Sequence, residues 1–147
     1  MRRMISHPDT TVDDCRMITL PHYRLSDGTV TVAQNSDAIP FAIARIYYIY
    51  DIPSGSERGG HSHHHEQRLL IAASGSFDVK VCDGRRWRTF TLRDPHEALY
   101  IPAGLWRTLE NFSAGSVALA LSSTKYDETD YVRDFDEFVR LKTEGDD

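Results

Sequence analysis

Residues 67–92 read QRLLIAASGSFDVKVCDGRRWRTFTL. Three short apolar or alternating runs, 67–73, 76–82 and 87–92, are separated there by Ser74-Gly75 and Asp83-Gly84. Alternation with a period of two marks a strand with one buried face. Asp-Gly between two such runs predicts a hairpin closed by a type I′ turn, whose central residues both need positive φ. The pattern continues outward, with strand-sized runs at 29–34, 41–50, 97–101 and 116–122. Their punctuation is Asp27-Gly28, Pro53 to Gly55, Gly59-Gly60, Asp94-Pro95 and Pro102 to Gly104. Many short strands at a spacing of about ten residues imply an all-β sandwich or barrel. Only 127–142, DETDYVRDFDEFVRLK, reads as a helix, with Tyr131, Phe135, Phe138 and Val139 near helical spacing. The tail TEGDD at 143–147 is expected to be disordered.

A chain of 147 residues with 40% hydrophobic and 27% charged side chains fits one globular domain over residues 1–147. The net charge of −5 argues against nucleic acid as a general partner, although clustered arginines can still form a local anion site. Cys15 and Cys82 lie far apart with no CxxC spacing, which points to reduced thiols. The opening residues MRRMISHPDTTVDD contain no apolar signal core, and no run is long enough to span a membrane. A soluble cytoplasmic protein without membrane contact is the expectation.

The stretch ERGGHSHHHEQRLL, 57–70, places four histidines within five positions. On a strand His61, His63 and His65 share one face, and an HxH pair there can give two imidazoles to one metal. That is how the cupin metal motif begins. It resembles this stretch up to that point and then continues with a glutamate seven residues before a glycine. Counting back from Gly75 gives Arg68, while Glu66 stands two residues early. The second cupin motif, PxGxxHxxxN, is matched by 102–111, PAGLWRTLEN, with Arg107 in place of its histidine. Two guanidiniums cannot ligate a cation and would repel one. The expectation is therefore no metal and no cofactor, in a pocket rebuilt to hold an anion. His64 and His65 read as bystanders.

Arginine grips phosphate through charge-assisted paired hydrogen bonds, and histidine titrates near neutrality, which suits proton movement beside a ketone. Arg45 shares a strand face with Phe41, Ile43, Tyr47 and Ile49. A charge there needs a partner or ligand, so Arg45 and Tyr47 join Arg68, Trp106 and Arg107 as candidate substrate-binding residues.

Five elements together resemble the WxcM-like, RmlC-type cupin sugar-nucleotide 3,4-ketoisomerases. They are IPFAIARIYYIYD at 39–51, RGGHSH at 58–63, SGSFDVKVCDG at 74–84, IPAGLWRTLENFS at 101–113 and YDETDYVRDFDEF at 126–138. They cover a core of about 17–140. The resemblance implies a cupin-type double-stranded β-helix, or jelly roll, with a short C-terminal helix, assembled as a homodimer. It implies conversion of a dTDP-4-keto-6-deoxyhexose to the 3-keto sugar through an enediolate, on the way to a 3-amino-3,6-dideoxyhexose. By the same resemblance the catalytic residues are His63 as the base at C3, His61 as its orienting partner, and Arg58 as a charge stabiliser. The chain departs from the family pattern at Arg68, where Gln is usual, and at Arg107, where His is usual. The alternatives are a metal-free sugar-nucleotide 3,5-epimerase and a non-catalytic sugar-nucleotide-binding cupin. A metal-dependent cupin dioxygenase is disfavoured by the two arginines.

Overall fold

The computed structural model describes residues 8–35 and 38–144. Its twelve strands are β1 (Arg16–Thr19), β2 (His22–Leu25), β3 (Gly28–Thr31), β4 (Arg45–Ile49), β5 (Arg58–His63), β6 (Arg68–Ser74), β7 (Phe77–Cys82), β8 (Trp87–Leu92), β9 (Glu97–Ile101), β10 (Trp106–Glu110), β11 (Val117–Ser122) and β12 (Tyr131–Val132), followed by helix α1 (Phe135–Glu144). Two five-stranded sheets, ordered β1-β9-β6-β11-β4 and β12-β5-β10-β7-β8, face each other, and β2-β3 forms a separate hairpin. Every pairing is antiparallel. This is the jelly roll expected from the sequence.

Three apolar clusters explain which strands alternate. The central one joins Leu70, Leu99, Ile101 and Ala120 of the first sheet to Phe77, Val79, Val81 and Leu92 of the second. A second, with Leu69, Ile71, Ala98 and Leu121, is covered by Leu20 and Ile39 from the N-terminal segment. The third places Trp106 and Cys82 against Val132 and Phe138. Strand β6 is thus covered on both faces, so its first five residues are all buried and RLLIAAS shows no alternation. Strand β10 is missed by periodicity for the same reason, since Trp106 to Leu109 are all buried. The short strands β1 and β2 also carry no usable signal in the sequence. Both cysteines are free and buried, and burial pushes the Cys15 thiol up to about 12.

Two expectations are corrected. The β7–β8 hairpin exists, but its loop runs from Asp83 to Arg86, because the last cross-strand pair is Cys82 with Trp87. The Asp83 carboxylate accepts the Arg85 and Arg86 amides at 3.0 and 2.8 Å and the Val12 amide at 3.1 Å. An Asx turn therefore replaces the type I′ turn, and only Gly84 takes positive φ. The C-terminal helix starts later than predicted. Asp127 caps a 3-10 turn at Glu128–Asp130, and Tyr131 and Val132 then pair with His63 and Ser62. Asp134 accepts the Asp136 amide at 3.0 Å and opens the true helix. Thr143 and Glu144, expected in a disordered tail, form the end of α1, and 145–147 lie outside the described residues.

Phe138 is fully buried beneath α1 and packs on Trp106 and Phe135. Phe138→Ala is expected to cost about 3–5 kcal/mol of stability, measured by urea unfolding, because the helix cannot collapse into the cavity left behind.

Candidate active site

A cavity of about 600 Å³ opens between the sheets. Its first wall is a pair of lateral rows. Arg45, Ser122 and Arg68 are cross-strand partners on β4, β11 and β6, and Tyr47, Ala120 and Leu70 form the next row. The second wall comes from β5 and β10, where Arg107 is paired directly with His61. Tyr131 of β12 closes the end beside the histidines.

Glu66, in the turn before β6, organises the first wall. Its buried carboxylate accepts from Arg45 Nη2 at 2.9 Å, from Arg68 Nη2, from Ser122 Oγ at 3.0 Å and from Thr124 Oγ1 at 3.2 Å. The sequence placed Glu66 out of register with the cupin motif, and the fold instead uses it to neutralise Arg68 of that motif together with Arg45 of β4. Both guanidiniums also lie over the Tyr47 ring, Arg45 at 5.4 Å and Arg68 at 5.1 Å from its centroid. Burial works to raise the Glu66 carboxyl, yet the adjacent Arg68, Arg107 and Arg45 charges outweigh it and hold it below its ordinary range.

On the second wall Arg107 Nη2 lies 2.8 Å from His61 Nε2. A guanidinium only donates, so Nε2 is the acceptor and the neutral ring carries its proton on Nδ1. Burial, reinforced by Arg68, lowers Arg107 to about 9. Burial also pulls both His61 and His63 far below the usual imidazole range, with Arg107 and Arg68 adding to the effect. Both rings are therefore neutral bases at physiological pH.

The expected site residues do not all meet. Arg45, Tyr47, Arg58, His61, Arg68 and Arg107 line the cavity. Arg58 sits at its mouth and is exposed. His63, expected to face substrate, is 2% exposed and lies behind His61, their ring centroids 4.9 Å apart. Neither of its nitrogens has a hydrogen-bond partner, and Nδ1 is 3.9 Å from Glu66 Oε2. Trp106 stays out of the cavity. Side chains alternate along β10, so the residue beside inward-facing Arg107 turns outward to Phe135 and Phe138. His64 and His65 do not line this cavity; the His65 amide donates to Asp130 Oδ1 at 2.8 Å. The sequence missed Tyr131, which had been counted on a helix face, and Asp130, which also takes the Glu66 amide at 3.0 Å.

His63, Glu66 and Asp130 could each offer a ligand atom, all within 4.8 Å of one another. Glu66 is already saturated by two guanidiniums, and their charge disfavours a cation at this point.

The family model for "FdtA: WxcM-like, C-terminal" proteins matches residues 13–143. The chain belongs to this family. A curated relative from Aneurinibacillus thermoaerophilus, TDP-4-oxo-6-deoxy-alpha-D-glucose-3,4-oxoisomerase, is 35% identical over 126 residues, covering 82% of this chain and 91% of its own. The WlaRB TDP-quinovose 3,4-ketoisomerase of Campylobacter jejuni superposes with a TM-score of 0.83 at 36% identity, over 88% of this chain and 99% of that one. A His-to-Asn mutant of the 3,4-ketoisomerase QdtA from Thermoanaerobacterium thermosaccharolyticum, in complex with TDP-4-keto-6-deoxyglucose, gives 0.86 at 31% identity, over 89% and 95%. A dTDP-4-dehydrorhamnose 3,5-epimerase from Bacillus anthracis gives 0.72 at 15% identity, over 84% and 82%, a likeness of fold alone.

The two lowered histidines fix the sign of the pH dependence. Unfolded, each takes up a proton near pH 6.5, whereas folded each stays neutral, so the unfolded state binds more protons below that value. Stability is expected to be level above about pH 7 and to fall below about 6.5, by up to about 1.4 kcal/mol per pH unit for each histidine. Denaturation midpoints measured from pH 8 to pH 5 check this; a flat profile contradicts the neutral buried pair.

Proposed function

We propose that this chain is a sugar-nucleotide 3,4-ketoisomerase that converts a dTDP-linked 4-keto-6-deoxyhexose to its 3-keto isomer by a histidine proton shuttle. The observation that carries the reading is His61, a neutral imidazole on the wall of an arginine-lined cavity with its acceptor nitrogen held against Arg107. An oxidation at one carbon and a reduction at its neighbour within one sugar need no external electron carrier. Such a reaction needs a base at C3, stabilised negative charge on the enediolate oxygens, and return of the proton at C4.

The geometry favours His61 over His63 for the carbon proton, because His61 lines the cavity and His63 is covered by it. Arg107 is placed to pass from His61 Nε2 to a developing enediolate oxygen, freeing that nitrogen for the proton. Preorganised donors of this kind supply a large part of the rate in such reactions. Exposed Arg58 lines the cavity and is available for a diphosphate. His63 supports the ring of His61 from behind. The product suits a downstream aminotransfer at C3, giving a 3-amino-3,6-dideoxyhexose.

A homodimer is part of the same reading. β4 is an edge strand, and Ile46 and Tyr48 on it and Tyr50 just past its end are 59%, 60% and 59% exposed. An uncovered edge with an apolar stripe suits a second copy, and Tyr48 and Tyr50 also line the cavity. Light scattering should give twice the 16.8 kDa chain mass; a monomer at micromolar concentration counts against the dimer.

Incubation with dTDP-4-keto-6-deoxyglucose in deuterated water, followed by NMR, tests the activity. A 3-keto product with deuterium at C4 is expected. Exchange at C3 and C5 without ketone migration indicates a 3,5-epimerase, and binding without exchange indicates a non-catalytic protein. His61→Asn is expected to lower turnover by about 10²–10⁴-fold while dTDP still binds.

A further inference from the structure

Strand β5 carries two groups wanted in one cavity, the anion anchor Arg58 and the imidazole of His61, and they stand three residues apart. In a regular strand that spacing sends side chains to opposite faces, since alternate residues share one. Gly60 marks the outer face of β5, because a Cβ there would lie 3.4 Å from Trp106 Cζ2 and 3.9 Å from Thr108 Cγ2. Ser62 lies on the same outer face, paired with Val132 of the cluster beneath α1. Regular alternation would put Arg58 with them, away from the substrate. We propose that Gly59 is a positioning residue, whose β-bulge turns Arg58 onto the face of His61 so that both address one sugar nucleotide. The proposal rests on the ketoisomerase reading above.

The strand register contains the bulge. Arg107 pairs with His61 and Leu109 pairs with Arg58, so two steps along β10 are matched by three along β5. Directly opposed residues of an antiparallel pair share a face. Arg107 and Leu109 both line the cavity, and His61 and Arg58 line it with them. Between these pairs Gly59 takes the left-handed conformation of a glycine bulge, with φ +90°. Space does not demand glycine at this point. A Cβ would meet Leu109 Cδ1 at 3.6 Å, and Arg107 O and His61 Cε1 at 3.9 Å, all ordinary contacts. The backbone does demand it, because L side chains rarely adopt such a φ. His61 is held independently, with Arg107 Nη2 at 2.8 Å from its Nε2 and the Tyr131 ring centroid 4.9 Å from its own. Relaxing the bulge therefore moves Arg58 and leaves His61 in place.

Gly59→Ala adds one methyl group and penalises the positive φ. Its affinity for dTDP is expected to fall about 10–100-fold, the range for losing charge-assisted hydrogen bonds from one arginine. KM for dTDP-4-keto-6-deoxyglucose is expected to rise with it while kcat changes by less than about threefold, the pattern of lost ground-state binding. Arg58→Ala is expected to lose as much affinity, and the double variant no more than either alone, because both changes remove the same interaction. Deleting Gly59 leaves Arg58 two residues from His61, on one face without a bulge, and is expected to keep dTDP affinity within about threefold of the parent.

Parent-like dTDP affinity in Gly59→Ala, whatever its thermal stability, overturns the proposal, because the glycine then serves folding alone. Additive losses in the double variant overturn it too, as does a deletion variant that melts with the parent yet loses affinity. A parent protein that binds dTDP without isomerising the keto sugar ends the ketoisomerase reading, while the affinity comparisons still decide the role of the bulge. A parent that binds no dTDP overturns both.

Discussion

The buried carboxylate of Glu66 holds this site together. Arg45 and Arg68 are drawn into one row by strand register, and each places a guanidinium in the first wall of a cavity whose second wall carries Arg107. Two like charges about 4 Å apart repel by roughly 4 kcal/mol at an intermediate effective dielectric. Glu66 cancels that repulsion from within the wall, and Ser122 and Thr124 complete its hydrogen bonds. Removing one partner of such a buried arrangement commonly costs about 3–5 kcal/mol, because the other charge is left uncompensated. The exposed Arg133–Glu128 pair, by contrast, belongs to the class worth less than about 1 kcal/mol.

The same residue ties the wall to the C-terminal segment. Asp130 accepts the backbone amides of His65 and Glu66, and the His64 amide donates to the Asp130 carbonyl. These bonds place β12 beside β5 and so bring Tyr131 to the histidines. Phe138 then anchors α1 against the outer face of the second sheet. Two remote stretches of the sequence, at 58–68 and 127–138, behave as one structural unit around the cavity.

The electrostatic result is a cavity with cationic walls and neutral imidazoles. Burial and the nearby arginines both disfavour imidazolium, so the histidines are available as bases, while the guanidiniums remain as permanent donors for negative charge. The jelly roll alone does not decide this chemistry, since a 3,5-epimerase shares the fold at 15% identity. The cavity's chemistry is carried by Arg45, His61, Arg68 and Arg107, which come from strands of both sheets, and by Glu66 in the turn before β6.

Local patterning determined the class of the fold. Alternating runs, Asp-Gly and Ser-Gly punctuation and the HxH strand can be read without long-range information, because strand period and turn preference are properties of a few neighbouring residues. Cavity residues on strands of clear alternation, such as His61, Arg45 and Tyr47, were legible for the same reason. Strand β6 was legible only as a continuous apolar run and β10 not at all, because both their faces are covered, a fact that depends on segments distant in sequence. Tyr131 looked helical until the hydrogen bonds of Asp130 drew it into a strand. Trp106 and His63 looked like contact residues until register and depth turned one outward and buried the other. The pairing of Glu66 with two arginines on different strands exists only after the sheets assemble, because proximity across a sheet is set by register and not by the order of residues along the chain.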